Sequence, residues 1–170
     1  GFGRMARELL QAMFALESEH TFYLFVDQPP LPAMQRANTK IIYVRPRRPV
    51  TDAAVANDRR SIFDMLRLYR AVSQSAIDVM FFPAVYSWFP VPSAIPSCVT
   101  LHDAIAEHFP ELIFPDWKGR LFWTLKVKLA LWQCKRVMTV SQAAKKEIAD
   151  YIGVRGDLID VISEAPNAQF

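Results

Sequence analysis

The chain has 170 residues, of which 52% are hydrophobic and 22% charged, with a net charge of +3. That length suits one domain with a substantial core, and the apolar share excludes an intrinsically disordered chain. The charge excess is small, although basic residues cluster at Arg45, Arg47 and Arg48, at Arg59, Arg60, Arg67 and Arg70, and from Lys118 to Arg136. Most of these read as solvated helix faces, with phosphate contact as the alternative, and no nucleic-acid partner is expected. Cys98 and Cys134 both sit among apolar residues, where a free thiol behaves as a small hydrophobe. A reducing, cytoplasmic setting is the simpler expectation. The N-terminus lacks a basic-then-apolar signal pattern, and the greasiest segment, 121–132, is short and interrupted by Lys126 and Lys128.

In chain order, a glycine-rich start leads into a predicted helix over 4–16, with Leu9, Met13 and Leu16 at helical spacing. Aromatic and β-branched runs predict strands at 21–26 and 40–44, with a proline-marked loop between them. Asp52 is placed to cap a helix running to Ser73, with Ile62, Met65, Leu66 and Tyr69 on one face. The continuous apolar run 77–82 predicts a buried parallel strand. Residues 83–96 contain Pro83, Pro90, Pro92 and Pro96 and predict a surface loop carrying Tyr86, Trp88 and Phe89. Tyr86 is a candidate for stacking on a sugar, whereas Trp88 and Phe89 individually read more as core cover.

A strand ending at His102 is followed by a loop to Pro115, a helix over 117–134, a strand over 136–140, a helix over 142–151 and a strand over 159–162. Helices separating apolar strands predict an α/β fold: a Rossmann-like, doubly wound parallel sheet with helices on both faces. The helix over 117–134 carries two apolar stripes, one of Leu121, Leu125, Leu129 and Trp132 and the other of Trp123, Val127 and Cys134. Burial against the sheet on one stripe and against a neighbouring element on the other is the expected arrangement. A membrane-surface role is the less favoured alternative, because interfacial helices concentrate charge on one broad face.

Three places carry chemistry. Gly1-Phe2-Gly3-Arg4-Met5-Ala6 fits the G-x-G-x-x-A pattern that lets backbone approach a phosphate at a helix start, and Asp27 closes the next strand. The pattern requires a preceding strand, so the first strand is expected to be missing from this chain. His102 and Asp103 end an apolar strand, at the sheet edge where crevices form. The histidine can exchange a hydrogen bond with a bound hydroxyl, or equally with backbone; the carboxylate can orient a loop or a sugar. Ser141 ends the next strand and reads first as a helix cap.

These segments together resemble the amino-terminal half of a GT-B glycosyltransferase of the family 4 type. The residues that carry the resemblance are Gly1 to Arg4 with Glu8-Leu9-Leu10, Thr100-Leu101-His102-Asp103, Phe109-Pro110-Glu111-Leu112, Val140-Ser141-Gln142, and Ile159 to Ile162 with Glu164-Ala165-Pro166-Asn167. The resemblance implies retaining transfer from a UDP- or GDP-linked sugar to a sugar or lipid-linked acceptor, without a metal or other cofactor. It implies a catalytic-centre contact for His102, backbone contacts to the phosphate side for Gly1 and Gly3, and supporting roles for Asp103 and Ser141. It makes residues 1–170 a single acceptor-side domain, inert without the nucleotide-sugar-binding domain. An NAD(P)-dependent dehydrogenase or epimerase domain, motivated by the glycine pattern and Asp27, is the first alternative. A basic module at the membrane's inner face is the second.

Overall fold

The computed structural model describes residues 2–16, 18–45 and 62–163. Gly1, Arg47, Arg48, Asp52, Arg59, Arg60 and the segment 164–167, all used above, lie outside the described residues. The chain separates into two compact units. One draws on the chain up to Asp78 together with Phe89–Ile95, and the other on Val79–Trp88 and the chain from Pro96 onward.

In the first unit, α1 (Phe2–Ala15) precedes a parallel pair, β1 (Phe22–Val26) and β2 (Thr39–Tyr43), followed by α2 (Ile62–Ser73). The register sets Phe22 beside Thr39 and Val26 beside Tyr43. α1 is anchored by Phe14, which is buried with its ring 4.8 Å from that of Phe22, while the Asn38 side chain donates to the Phe14 carbonyl. Leu16, expected to end the helix at helical spacing with Leu9 and Met13, lies beyond the last helical residue and is exposed. α2 also departs from expectation, because Ile62, Leu66 and Tyr69 are exposed and Asp64 and Val72 are buried. At about 100° per residue the apolar residues Ile62, Phe63, Met65, Leu66, Leu68, Tyr69 and Val72 cover more than half of the circumference of this helix, with Asp64 and Arg67 on the rest. The band is too wide to select one inner face by itself.

The second unit holds a four-stranded parallel sheet in the order β3 (Met80–Phe82), β4 (Ser97–Thr100), β5 (Arg136–Thr139), β6 (Ile159–Val161). Between β4 and β5 come α3 (Ile105–His108), α4 (Pro110–Ile113) and α5 (Trp117–Gln133), and α6 (Gln142–Glu147) joins β5 to β6. This is a Rossmann-like α/β fold of parallel strands and crossover helices, built here with small sheets. Its core is made by Phe82, Val99, Val137, Ile148 and Ile159, all buried. In β5 the inward residues alternate, with Val137 and Thr139 buried between Arg136 and Met138.

β3 is shorter than the apolar run 77–82 predicts. Met80 N–H donates to the Pro96 carbonyl, but Pro96 has no N–H to return, so the ladder cannot extend back toward Val79. The loop after β3 is also not the exposed loop expected. Val85 and Trp88 are buried in this unit around a 3₁₀ turn at Val85–Ser87, and Phe89 and Val91, which belong to the first unit, are buried as well.

α5 starts at Asp116, whose Oδ1 accepts from Gly119 N–H, and buries Gly119, Trp123, Val127 and Ala130 at steps of three and four. α6 runs on as one wider turn, Ile148–Ile152, and stops at Gly153, whose φ of 81° is the left-handed conformation that favours glycine at a helix end. On the outer edge Arg136 forks onto the Asp160 carboxylate and reaches the Asp157 carbonyl, tying β5 to β6. This pairing holds the Asp160 carboxyl below the usual aspartate range. Cys98 and Cys134 are free thiols. Burial pushes Cys98 up to about 11 and also raises Cys134, so both side chains serve as packing groups.

Candidate functional site

In a parallel sheet every strand delivers its exit to the same edge, and in this unit that edge collects the exits of β3, β4 and β5. β3 leaves into Pro83 and Tyr86, β4 into Leu101, His102 and Asp103, and β5 into Val140 and Ser141. The strand exits are joined by backbone bonds, Leu101 N–H to Met138 O at 2.9 Å and Ile162 N–H to Thr139 O at 2.8 Å.

His102 is half-buried, and its Nε2 lies 3.3 Å from the Pro83 carbonyl. A carbonyl only accepts, so this bond fixes a proton on Nε2 and orients the ring across the gap between β4 and β3. Asp103 is exposed, and its Oδ1 accepts from Ile105 N–H at 3.0 Å, which starts α3. Ser141 caps α6, its Oγ accepting from Ala144 N–H at 3.0 Å, so the capping expectation holds. Lys145, one turn further, donates to the Ile159 carbonyl at 2.8 Å and so secures β6.

Tyr86 is half-buried with its ring 5.0 Å from that of Trp123, and its carbonyl accepts from Lys126 Nζ at 2.8 Å. Burial raises its phenol above the ordinary tyrosine range, and the carboxylates of Asp103 and Glu107 add to that. Glu107 is the member that sequence reasoning missed. Its Oε1 accepts from the Trp123 indole N–H at 2.7 Å, and it sits four residues after Asp103. A loop was expected from the end of β4 to Pro115; two short helices form there instead, and α3 turns Glu107 inward.

Burial raises the Glu107 carboxyl above its ordinary value of 4.5, against the opposing hydrogen bond from Trp123. A carboxyl raised in the fold gives stability that is fully present below the unfolded value and is lost as pH rises through the folded one. Glu107→Gln keeps the acceptor for Trp123 and removes the charge. It is expected to raise the urea midpoint at pH 7, with the gain disappearing below about pH 4. An equal gain at both pH values would show that charge burial is not the cause.

The structure thus places Tyr86, His102, Asp103 and Ser141 on the exits of neighbouring strands in one unit. Gly3 belongs to the other unit, where α1 begins one residue earlier than Gly3, so it occupies a helical turn rather than a loop and faces open space. The same unit has an open groove of about 680 Å³ beside the end of β2, with Arg45, Arg67 and Arg70 on its wall. Arg67 is already engaged there, donating to the Arg45 carbonyl at 2.9 Å. Among the described residues no group of three or more His, Cys, Asp or Glu side chains converges as a metal ion requires.

Parallel strands joined by crossover helices, with His102, Asp103 and Ser141 on their exits, make this an α/β unit of the Rossmann-like class. The sequence model of glycosyltransferase family 4 matches residues 1–167, and the chain belongs to that family. No curated protein matches the chain.

Proposed function

We propose that this chain is the acceptor-side domain of a retaining GT-B glycosyltransferase, which moves a sugar from a UDP- or GDP-linked donor to a sugar or lipid-linked acceptor. The observation that carries the reading is His102, held half-buried at the exit of β4 in a member of glycosyltransferase family 4. On this reading His102 meets the transferred sugar near the reacting carbon. Its Nε2 is oriented by the Pro83 carbonyl, so little ring motion has to be frozen when the substrate arrives. Transfer builds positive charge on the sugar ring and negative charge on the departing diphosphate. Groups fixed before the reaction stabilise that separation more than mobile water does.

Asp103 and Ser141 support the site through the turns that they cap, and Tyr86 forms part of the acceptor wall beside Trp123. Gly3, and Gly1 outside the described residues, are assigned to the phosphate side. The donor is gripped by a second domain, so this domain alone is inert. The working place is the cytoplasm, and no metal or other cofactor takes part.

Titration of UDP-sugars, GDP-sugars and NAD into the complete enzyme tests the reading. Saturable binding of one nucleotide sugar, with release of its nucleotide on addition of an acceptor, is the expected result. Saturable NAD binding with no response to any nucleotide sugar would establish the dehydrogenase or epimerase alternative instead.

A further inference from the structure

α5 buries only one of its two apolar stripes. Turned at about 100° per residue, the buried Gly119, Trp123, Val127 and Ala130 face one way, and Trp117, Leu121, Leu125, Leu129 and Trp132 span an arc of roughly 120° on the opposite side. That second stripe was expected to meet a neighbouring element, but all five of its residues are exposed, with Trp117 at 69%, Leu121 at 55%, Leu125 at 50% and Trp132 at 86%. Leu112, just upstream on α4, is exposed as well. Large side chains left in water along a 17-residue helix are not the ordinary scatter of single surface hydrophobes.

The charges on this helix say what covers the face. Lys118 and Lys128 are exposed within the same arc, Arg120 is exposed beside it, and α5 contains neither Asp nor Glu. A second copy of the chain docking through a two-fold axis would set these cations against each other with no acid on the helix to offset them. An anionic bilayer matches both properties. Its acyl boundary takes the leucines and its headgroups take the lysines, whose stems run along the apolar face and lift the charge outward. The tryptophans lie at the two ends of the stripe, and their rings suit the headgroup level. No helix among the described residues is long and apolar enough to cross a membrane, so the geometry fits a helix lying along the surface.

We infer that the outer face of α5 is a docking surface for anionic lipid bilayers, with Trp117 and Trp132 at its two ends. Lys126 points inward to the Tyr86 carbonyl, which leaves Lys118 and Lys128 exposed within the apolar arc, one on each side of its midline. This inference stands apart from the sugar-transfer reading and is tested without measuring transfer.

The test is flotation of the full chain with vesicles of phosphatidylcholine, alone or rich in phosphatidylserine, at low and high salt. Tryptophan emission is followed with brominated lipid as quencher. Binding to the anionic vesicles with quenched emission is expected. Lys118→Gln with Lys128→Gln should weaken binding about 30-fold, since each lysine near the surface contributes severalfold. Leu121→Glu with Leu125→Glu should abolish it while circular dichroism stays unchanged, because both positions are exposed. Absence of flotation with anionic vesicles at low salt overturns the inference, as does binding that neither pair alters. A dimer in sedimentation that Leu121→Glu with Leu125→Glu dissolves, in a chain that does not float, overturns it in favour of a second copy.

Discussion

Alanine at position 102 is expected to lower sugar transfer by the complete enzyme roughly 100-fold or more, the usual loss when one preorganised polar contact is removed from a reacting centre. The fold should lose little. His102 is only half-buried, and its Nε2 contact to Pro83 is worth about 1 kcal/mol, as for an ordinary hydrogen bond. A purely structural histidine would give the reverse pattern, with turnover preserved in the folded fraction and only the denaturation midpoint lowered. His102→Gln separates the two cases, because its side-chain amide can donate to the Pro83 carbonyl but brings no imidazole to the sugar. The expected result is a glutamine variant with near-native stability and the same loss of transfer as alanine. Steady-state rates and urea melts on the same preparations decide it, and native turnover in the glutamine variant would remove His102 from the reacting centre.

The sequence carries those parts of this domain whose cause is local. Ser141 announces the start of α6, since a short acceptor side chain before a helical pattern answers orphan backbone donors and needs no tertiary partner, and Asp116 proves to cap α5 in the same way. β4 and β5 are visible for a similar reason: Val99 and Val137 sit in short apolar runs between polar breaks. The family resemblance also rests on linear order, and the family match along 1–167 agrees with it.

What the sequence does not carry is the side of a helix that meets the core. On α2 the apolar residues cover more than half of the circumference and on α5 they occur almost all round, so periodicity admits more than one inner face and packing chooses between them. The site is legible only in part on the same grounds. Asp103 and His102 are read from a strand end, but Glu107 is an isolated acid in a proline-marked stretch. It becomes part of the site only because α3 forms and brings it to the Trp123 indole. The shortness of β3 was equally hidden, since it follows from the missing N–H of Pro96 on the neighbouring strand rather than from residues 77–79 themselves.

The same short strand is where the largest loss of stability is expected. β3 has only three residues, each paired on one side with β4 among the described residues, with Phe82 beside Val99. So few ladder bonds hold it weakly, and packing supplies the rest. Phe82 is 1% exposed and is among the largest fully buried side chains. Phe82→Ala removes that ring's transfer free energy and leaves a cavity in a close-packed interior, together about 3–5 kcal/mol. Against a typical total of about 5–15 kcal/mol, the variant keeps only part of its stability. Urea unfolding followed by tryptophan fluorescence should show a large fall in midpoint with unchanged slope, whereas Phe82→Leu should lose less than half as much. A fall below about 1 kcal/mol for alanine would mean that β3 is held by something other than this ring. Phe82 also precedes Pro83, the residue whose carbonyl orients His102. Loosening β3 therefore releases the imidazole, and transfer by Phe82→Ala should drop even in urea-free buffer, where most molecules remain folded, while Phe82→Leu retains most of it.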